Sequence, residues 1–194
     1  PEGFNGQLRP YQERGLGWLA FLNRFNQGAC LADDMGLGKT IQLLAFLQHL
    51  KIEKELKRPV LLIAPTSVLT NWKREALSFT PDLNVQEHYG PRRANEISIL
   101  KKSLVKVDVL LTSYGLMQRD SELLKKINWQ GIVIDEAQAI KNPNAKQSQS
   151  VRSIARPEKS HRFRIALTGT PVENRVSELW ALMDFLNPRV LGEE

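Results

Sequence analysis

The sequence predicts an α/β fold in which a mostly parallel sheet carries helices on both of its faces. Two observations support this prediction. Short apolar runs, rich in valine, leucine and isoleucine, alternate along the chain with longer segments whose apolar residues recur at helical spacing. Polar motifs also begin directly where several of these runs end, as expected of parallel strands, whose carboxyl ends share one edge of a sheet.

The predicted elements alternate along the whole chain, which indicates βαβ units with right-handed crossovers. The strand candidates are 29–32, 60–64, 85–89, 107–112, 132–134 and 163–167. The helix candidates are 10–25, 39–50, 67–79, 92–102, 121–126, 145–155 and 177–186. Pro10 suits the first turn of its helix, and Ser67 is a residue type that commonly caps one. Trp18 falls among the apolar positions of the first helix, so we expect it in the core.

The composition is that of one ordinary globular domain spanning residues 1–194, because 42% of the residues are hydrophobic and 25% are charged. These values exclude intrinsic disorder, and no apolar run approaches the roughly 20 residues that cross a bilayer. Cys30 is the only cysteine, which excludes an intrachain disulfide and is typical of a reducing compartment. The net charge of +6 permits a polyanionic partner without requiring one.

A glycine-containing loop between the first predicted strand and its helix has the context of a phosphate-binding loop. Gly36 and Gly38 would let backbone N–H groups converge on phosphate oxygens. Lys39 would neutralise the β- and γ-phosphates, and the Thr40 hydroxyl would ligate Mg²⁺. Asp33 stands where the strict pattern has its first glycine. The alternative is an ordinary turn that caps a helix, with Lys39 and Thr40 solvated.

Two carboxylates, Asp135 and Glu136, follow the predicted strand 132–134 directly. Packing alone does not explain acids at the end of an apolar strand, because buried charges need partners. Opposite a phosphate-binding loop, Asp135 would hold the Mg²⁺ shell, and Glu136 would position and deprotonate an attacking water. The alternative is that the pair only caps the next helix.

Together, in this order, the motifs resemble the first RecA-like lobe of the Swi/Snf-type ATPases of helicase superfamily 2, in particular its short archaeal and bacterial members. The resemblance runs from about residue 7 to residue 192. The matching segments are 8–12 (Leu-Arg-Pro-Tyr-Gln), 33–40, 64–72 (Ala-Pro-Thr-Ser-Val-Leu-Thr-Asn-Trp), 111–114 (Leu-Thr-Ser-Tyr), 135–138 (Asp-Glu-Ala-Gln), 167–171 (Leu-Thr-Gly-Thr-Pro) and 178–180 (Glu-Leu-Trp). The family's loop also has an acidic residue at the position of Asp33.

The resemblance implies a RecA-like P-loop NTPase lobe with ATP and Mg²⁺ as cofactors. The implied nucleotide-binding residues are Arg9, Gln12, Asp34, Met35, Gly36, Leu37, Gly38, Lys39 and Thr40. The implied catalytic residues are Lys39, Asp135 and Glu136, with Thr40 and Asp135 on the metal. The Gln12 amide would read the adenine edge, because it donates and accepts at once. Residues linking the γ-phosphate to the nucleic-acid side and to a second lobe would be Gln138, Thr168, Gly169 and Thr170.

The resemblance also implies contact with the phosphate backbone of double-stranded DNA, independent of sequence. The residues that it places in these loops are Ser67, Asn71, Lys73, Thr112, Ser113 and Tyr114. Hydroxyls, amides and lysine suit phosphate contact and carry no base readout. The alternatives are helix capping for Ser67 and solvation for Lys73. Trp72 is expected in the core or as a support for its loop, and the charges at 92–93 and 101–102 on a solvated face.

We therefore expect the ATP-binding lobe of a double-stranded DNA translocase, with a second RecA-like lobe of the same protein outside this sequence. That lobe would supply arginine fingers, so residues 1–194 alone should bind ATP weakly and hydrolyse it very slowly. We expect a monomeric lobe with no membrane partner, in the prokaryotic cytoplasm near the nucleoid or in the eukaryotic nucleus. The alternatives are a lobe of an RNA helicase or strand-separating DNA helicase, or a non-catalytic module gated by nucleotide.

Overall fold

The fold was analysed in a computed structural model, which describes residues 2–156, 161–169 and 176–192. The elements are α1 (Pro10–Arg24), β1 (Ala29–Leu31), α2 (Lys39–Ile52), β2 (Val60–Ala64), α3 (Leu69–Phe79), β3 (Val85–His88), α4 (Ile97–Ser103), β4 (Val109–Ser113), α5 (Tyr114–Arg119), α6 (Ser121–Leu124), β5 (Gly131–Ile134), α7 (Lys146–Ile154), β6 (Phe163–Leu167) and α8 (Val176–Leu186). Short 3₁₀ turns cover Thr66–Val68 and Ala137–Ile140.

The strands of the described ranges form one six-stranded sheet in the order β1-β6-β5-β2-β4-β3. Every neighbouring pair is parallel, with Leu62 of β2 lying between Leu111 of β4 and Val133 of β5. The carboxyl ends of all six strands therefore lie at one edge, which carries the loops with the polar motifs. The predicted α/β fold with a parallel sheet is confirmed.

Apolar layers cover both faces of the sheet, because successive side chains of a strand point to opposite sides. On β2, Leu61 and Ile63 face one layer, while Val60, Leu62 and Ala64 face the other. Helices α1, α2 and α3 contribute to the second layer, and α4 to α8 contribute to the first. Strand β5 is buried throughout, which accounts for its uninterrupted apolar sequence.

Three local expectations from the sequence are wrong. Ser67 does not cap α3, because residues 66–68 form a 3₁₀ turn first and α3 begins at Leu69 without a side-chain cap. Trp18 is 50% exposed and stacks on Phe21 instead of entering the core. Arg93 is not on a solvated face, since its guanidinium is held by Asp120 at 2.7 Å. Arg92, Lys101 and Lys102 are exposed, as expected.

No helix within the described ranges is both long enough and apolar enough to span a lipid bilayer.

Gly131 tests the packing of the central strand. A Cβ at this position would lie 2.1 Å from Cε2 of Phe163, whose buried ring also packs edge-on against Phe46. Because that ring has little room to move, Gly131→Ala should lower the free energy of unfolding by about 1–3 kcal/mol. Urea denaturation followed by circular dichroism measures the change.

The matched control is Gly17→Ala, since Gly17 lies in the interior of α1 and a Cβ there meets no atom within 4 Å. Alanine should raise the free energy of unfolding by about 0.5–1 kcal/mol, because it favours helix more than glycine does. Equal effects of the two substitutions would contradict the packing described for β5.

A candidate nucleotide and nucleic-acid site at the carboxyl edge of the sheet

A cavity of about 310 Å³ opens at the carboxyl edge of the sheet, between the loop after β1, the start of α3 and the residues after β5. Lys39 and Thr40 line it from one side, and Asp135 and Glu136 line it from the other. Strand β6 lies between β1 and β5, so the two motifs face each other across one strand. The loop and the acidic pair therefore form one site, as the interpretation from sequence requires.

The glycines of the loop after β1 give it a conformation that other residues rarely adopt. Gly36 and Gly38 have φ angles of +83° and +77°, and α2 begins immediately afterwards at Lys39. The amino end of a 14-residue helix is thus directed at the cavity, where its unpaired N–H groups and its dipole favour an anion. This geometry suits the phosphate cradle that the sequence predicts.

Lys39 is held by its own loop in this structure. Its ammonium donates to the backbone carbonyls of Asp33 at 2.6 Å and of Asp34 at 3.0 Å. The side chain of Asp33, at the position where the strict motif has glycine, accepts a hydrogen bond of 2.8 Å from Gln42 in α2. Asp33 therefore anchors the loop to the helix that follows it, and Lys39, held by the same loop, lines the cavity.

The predicted adenine-side residues lie against the same loop. Gln12 is buried, accepts the Arg9 backbone N–H at 2.9 Å and donates to the Leu37 carbonyl at 3.2 Å. The Tyr11 hydroxyl donates to the same carbonyl at 3.2 Å, while the Arg9 side chain is exposed. The Gln12 amide keeps one N–H and one lone pair beyond these bonds, which is the pair of functions that an adenine edge requires.

Every polar group of Asp135 has a partner within the protein. Its Oδ2 accepts the Trp72 indole N–H at 2.7 Å, and its Oδ1 accepts the Glu136 N–H at 2.9 Å. Its carbonyl accepts the Tyr114 hydroxyl at 2.7 Å, and its N–H donates to the Ile63 carbonyl.

Burial raises the pKa of the Asp135 carboxyl above its usual value, whereas the hydrogen bonds from Trp72 and Glu136 act in the opposite direction. Burial also raises the pKa of Tyr114.

Glu136 has a left-handed backbone, with φ 51° and ψ 60°, which is unusual for a residue other than glycine. The amide of Gln138 donates to the Glu136 carboxylate, and the Thr168 hydroxyl donates to the Gln138 oxygen at 3.2 Å. Gly169 lies beside the phosphate loop, because a Cβ there would be 3.3 Å from Cγ of Met35. The predicted linking residues thus join the ends of β5 and β6; Thr170 lies outside the described residues.

The predicted nucleic-acid residues divide into two groups. At the start of α3, Ser67 and Lys73 are exposed and Asn71 is half-buried, with Lys73 lying 3.1 Å from Glu87 and Asn71 bonded to Glu75. Ser67 and Lys73 are accessible to a ligand at the edge of the sheet, whereas Asn71, whose amide oxygen also accepts from Arg74, lines the cavity that Lys39 and Asp135 share.

The second group, Thr112 to Tyr114, has its side chains turned inward and bonded within the protein, so contact of this loop with DNA stays a prediction. Thr112 is fully buried and donates to the His88 carbonyl. The Ser113 oxygen accepts from the Leu116 N–H and caps α5, while Tyr114 is 5% exposed and donates to Asp135. The reason is that Thr112 and Ser113 belong to the buried strand β4 and Tyr114 begins a helix packed under the sheet edge.

The oxygen ligands in the cavity fit Mg²⁺. The Thr40 hydroxyl and the Asp135 carboxylate line the same cavity, and hard oxygen donors of this kind, completed by phosphate and water, are what Mg²⁺ prefers. Within the described ranges, no group of three or more His, Cys, Asp or Glu residues is placed to hold a metal ion. The Mg²⁺ site to test is therefore one in which the Thr40 and Asp135 oxygens are completed by substrate phosphates.

Reasoning from sequence did not assign Trp72 to the site. Trp72 is 3% exposed and packs in the apolar layer formed with α1, α2 and α3, with its indole N–H on Asp135. A buried indole N–H requires an acceptor, and this requirement could have drawn attention to the acidic pair.

Comparisons with known proteins identify the family of the chain. The sequence model of the family described as the SNF2-related domain matches residues 11–194 of this chain. The putative ATP-dependent helicase/translocase YwqA of Bacillus subtilis is 51% identical over 97% of this chain, and the ISWI chromatin-remodeling complex ATPase ISW1 of Saccharomyces cerevisiae is 43% identical over all of it. The chain spans 20% of the length of YwqA and 17% of the length of ISW1.

A solved structure of the Sulfolobus solfataricus SWI2/SNF2 ATPase core in complex with double-stranded DNA superposes on this chain with a TM-score of 0.86. The two share 45% sequence identity, and the superposition covers all of this chain and 38% of the Sulfolobus chain. The RecA-like fold of that ATPase core is therefore also the fold of this chain.

Gly38 gives a test of the phosphate cradle. A Cβ on Gly38 would lie 2.5 Å from the Gln12 amide nitrogen, whereas a Cβ on Gly36 meets no atom within 4 Å. Both residues have positive φ, so both alanine variants are strained, but only Gly38→Ala also displaces Gln12. We expect Gly38→Ala to weaken ATP binding about tenfold more than Gly36→Ala does. Fluorescent-nucleotide titration measures both, and equal losses would contradict the packing of Gln12 against the loop.

Proposed function

Because the chain belongs to the SNF2-related domain family, we propose that it is the ATP-binding lobe of a motor that hydrolyses ATP while it moves along double-stranded DNA. The observation that carries this proposal is the single cavity in which Lys39 and Thr40 face Asp135 and Glu136. The relatives' names, a helicase/translocase and a chromatin-remodelling ATPase, support the same activity. We further propose that residues 1–194 form one domain and that the complete protein contains a second RecA-like lobe.

The phosphates of ATP would lie at the amino end of α2. The backbone N–H groups around Gly36 and Gly38 would bind the phosphate oxygens, and Lys39 would exchange its two loop carbonyls for the β- and γ-phosphates. This exchange needs no large movement of the chain, because Lys39 already lines the cavity. Gln12 would present its remaining N–H and lone pair to the adenine.

Thr40 and Asp135 would hold Mg²⁺, which when bound neutralises charge on the β- and γ-phosphates. Glu136 would orient the attacking water and accept its proton. Gln138 and Thr168 would link this carboxylate to the end of β6, so that the position of Glu136 depends on the loop that follows Thr168. A second lobe closing on the exposed side of Gln138 would complete the site with arginine side chains.

Double-stranded DNA would bind along the start of α3 through its phosphate backbone. Ser67 and Lys73 offer an exposed hydroxyl and ammonium, and half-buried Asn71 would add its amide by giving up its bonds to Glu75 and Arg74; these groups suit phosphates and provide no readout of base sequence. We propose that Thr112, Ser113 and Tyr114 support this surface from within, rather than contact the DNA with their side chains.

One prediction of the proposed function concerns the two proposed catalytic groups, Lys39 and Glu136, in the full-length protein. Lys39→Ala removes the cation for the β- and γ-phosphates, and Glu136→Gln removes the proton acceptor while it preserves the shape of the side chain. Each should lower DNA-stimulated ATP hydrolysis by at least about a hundredfold. A phosphate-release assay measures the rate. Lys101→Ala, on the exposed side of α4, is the control and should retain full turnover; turnover retained in either site variant would contradict its role.

The second prediction concerns DNA. Lys73→Ala should weaken duplex binding equally for unrelated sequences and should reduce the slope of log affinity against log salt by about one, because one phosphate contact is lost. Fluorescence anisotropy over a salt series measures this slope, and Lys101→Ala should leave it unchanged.

The preferred nucleic acid is tested by comparing the stimulation of ATP hydrolysis by duplex DNA, single-stranded DNA and RNA. Strongest stimulation by RNA or by single strands would favour a strand-separating helicase instead.

A further inference from the structure

The two segments proposed to bind or support DNA each place one buried aromatic donor on Asp135. From α3 comes the Trp72 indole N–H, 2.7 Å from the carboxylate oxygen Oδ2. From the first residue of α5 comes the Tyr114 hydroxyl, 2.7 Å from the Asp135 backbone oxygen. These are the two hydrogen bonds that Asp135 receives from helices; its other two involve the adjacent Glu136 N–H and the Ile63 carbonyl of β2.

The two donors approach Asp135 from opposite faces of the sheet. Trp72 is 3% exposed and belongs to the apolar layer formed with α1, α2 and α3. Tyr114 is 5% exposed and belongs to the layer on the other face. Asp135, at the end of β5, is therefore fixed from both layers at once, and a shift of either helix changes the geometry of its carboxylate or of its peptide unit.

Trp72 lies in the same helical turn as two of the proposed DNA contacts. Asn71 precedes it and Lys73 follows it, so the distance along the chain from a DNA phosphate contact to the Asp135 hydrogen bond is one residue. The carboxylate is an acceptor only, and the indole N–H is a donor only, so this bond has one possible direction. Each carboxylate oxygen still retains lone pairs for a bound water of the metal shell.

We propose that Trp72 is a positioning residue that couples DNA engagement at the start of α3 to the metal-holding carboxylate of Asp135, with Tyr114 as the corresponding support from the opposite face. This inference rests on the proposed function. DNA that draws α3 toward its phosphates moves the indole, and the indole sets the orientation of the carboxylate. Linkage then requires the converse as well: nucleotide with Mg²⁺ changes the affinity for DNA by the same factor.

The alternative is that Trp72 is only a core residue that satisfies its own N–H. The chain provides a matched control for this alternative in Trp129, which is fully buried and whose indole N–H donates to the Leu124 carbonyl at 2.9 Å. Trp129→Phe and Trp72→Phe each remove one buried indole N–H and keep an aromatic ring. Only Trp72→Phe removes a bond to Asp135.

The test measures two quantities on the full-length protein that do not depend on turnover. The first is the Mg²⁺ concentration that gives half-maximal binding of a fluorescent, non-hydrolysable ATP analogue. The second is the ratio of duplex-DNA dissociation constants with and without that analogue and Mg²⁺. In the Trp72→Phe protein we expect the half-maximal Mg²⁺ concentration to rise at least about tenfold, the effect of losing one charge-assisted hydrogen bond, and the ratio of DNA dissociation constants to move toward one. Trp129→Phe should match the wild type in both quantities.

Tyr114→Phe keeps the test decisive if Trp72→Phe does not fold, as judged by circular dichroism. It removes one hydroxyl and should change both quantities in the same direction by a smaller factor. Unchanged values in Trp72→Phe, or in Tyr114→Phe where the first variant is unfolded, would overturn the coupling while leaving the proposed function intact. Wild-type protein that binds neither the analogue with Mg²⁺ nor DNA would instead remove the proposed function, and this inference with it.

Discussion

A buried carboxylate at the end of an apolar strand is the constraint on which this site depends. Burial penalises the charged form of Asp135, so the structure must supply donors or lose the charge. It supplies two to the carboxylate, from Trp72 and the Glu136 N–H, while the Tyr114 hydroxyl donates to the backbone carbonyl of the same residue. The end of β5 is therefore tied through Asp135 to both α3 and α5.

The order of the strands explains why this carboxylate lies at a junction. The elements proposed for nucleotide follow β1, β5 and β6, which are neighbours in the sheet, and those proposed for DNA follow β2 and β4, which are also neighbours. Strand β5 pairs with β6 on one side and with β2 on the other. A residue at the carboxyl end of β5 is thus the natural place for the two halves of the edge to communicate, and Asp135 occupies it.

The sequence was sufficient for the sheet and for placing the loop after β1 opposite the acidic pair, and insufficient for the burial of the side chains at the end of β4, for a physical reason. Glycines with positive φ and acids after a buried strand have few structural uses, so Gly36, Gly38 and Asp135 could be interpreted locally. Thr112 and Tyr114 carry polar atoms that can face either water or a buried acceptor. Which they face depends on tertiary partners, His88 and Asp135, that lie far away in sequence.

The helix boundaries show the same limit. Ser67 is a good capping residue by type, but residues 66–68 tighten into a 3₁₀ turn and α3 starts later. Trp18 has the spacing of a core position, yet it stacks on Phe21 at the surface, because spacing identifies a helix face without saying how wide the buried part of that face is.

The neighbouring acids of the site differ in how firmly they are held, and this difference suits their proposed roles. Asp135 is bonded on its N–H, its carbonyl and both carboxylate oxygens, so it can present a fixed oxygen to a metal shell. Glu136 is only half-buried, has a strained left-handed backbone and is bonded through the exposed side chain of Gln138. Strain of this kind is retained only where the surroundings enforce it. A carboxylate held by one exposed amide can be reoriented by whatever contacts that amide, whereas the Asp135 carboxylate moves only with the buried helices that hold it, so the two groups respond to different partners.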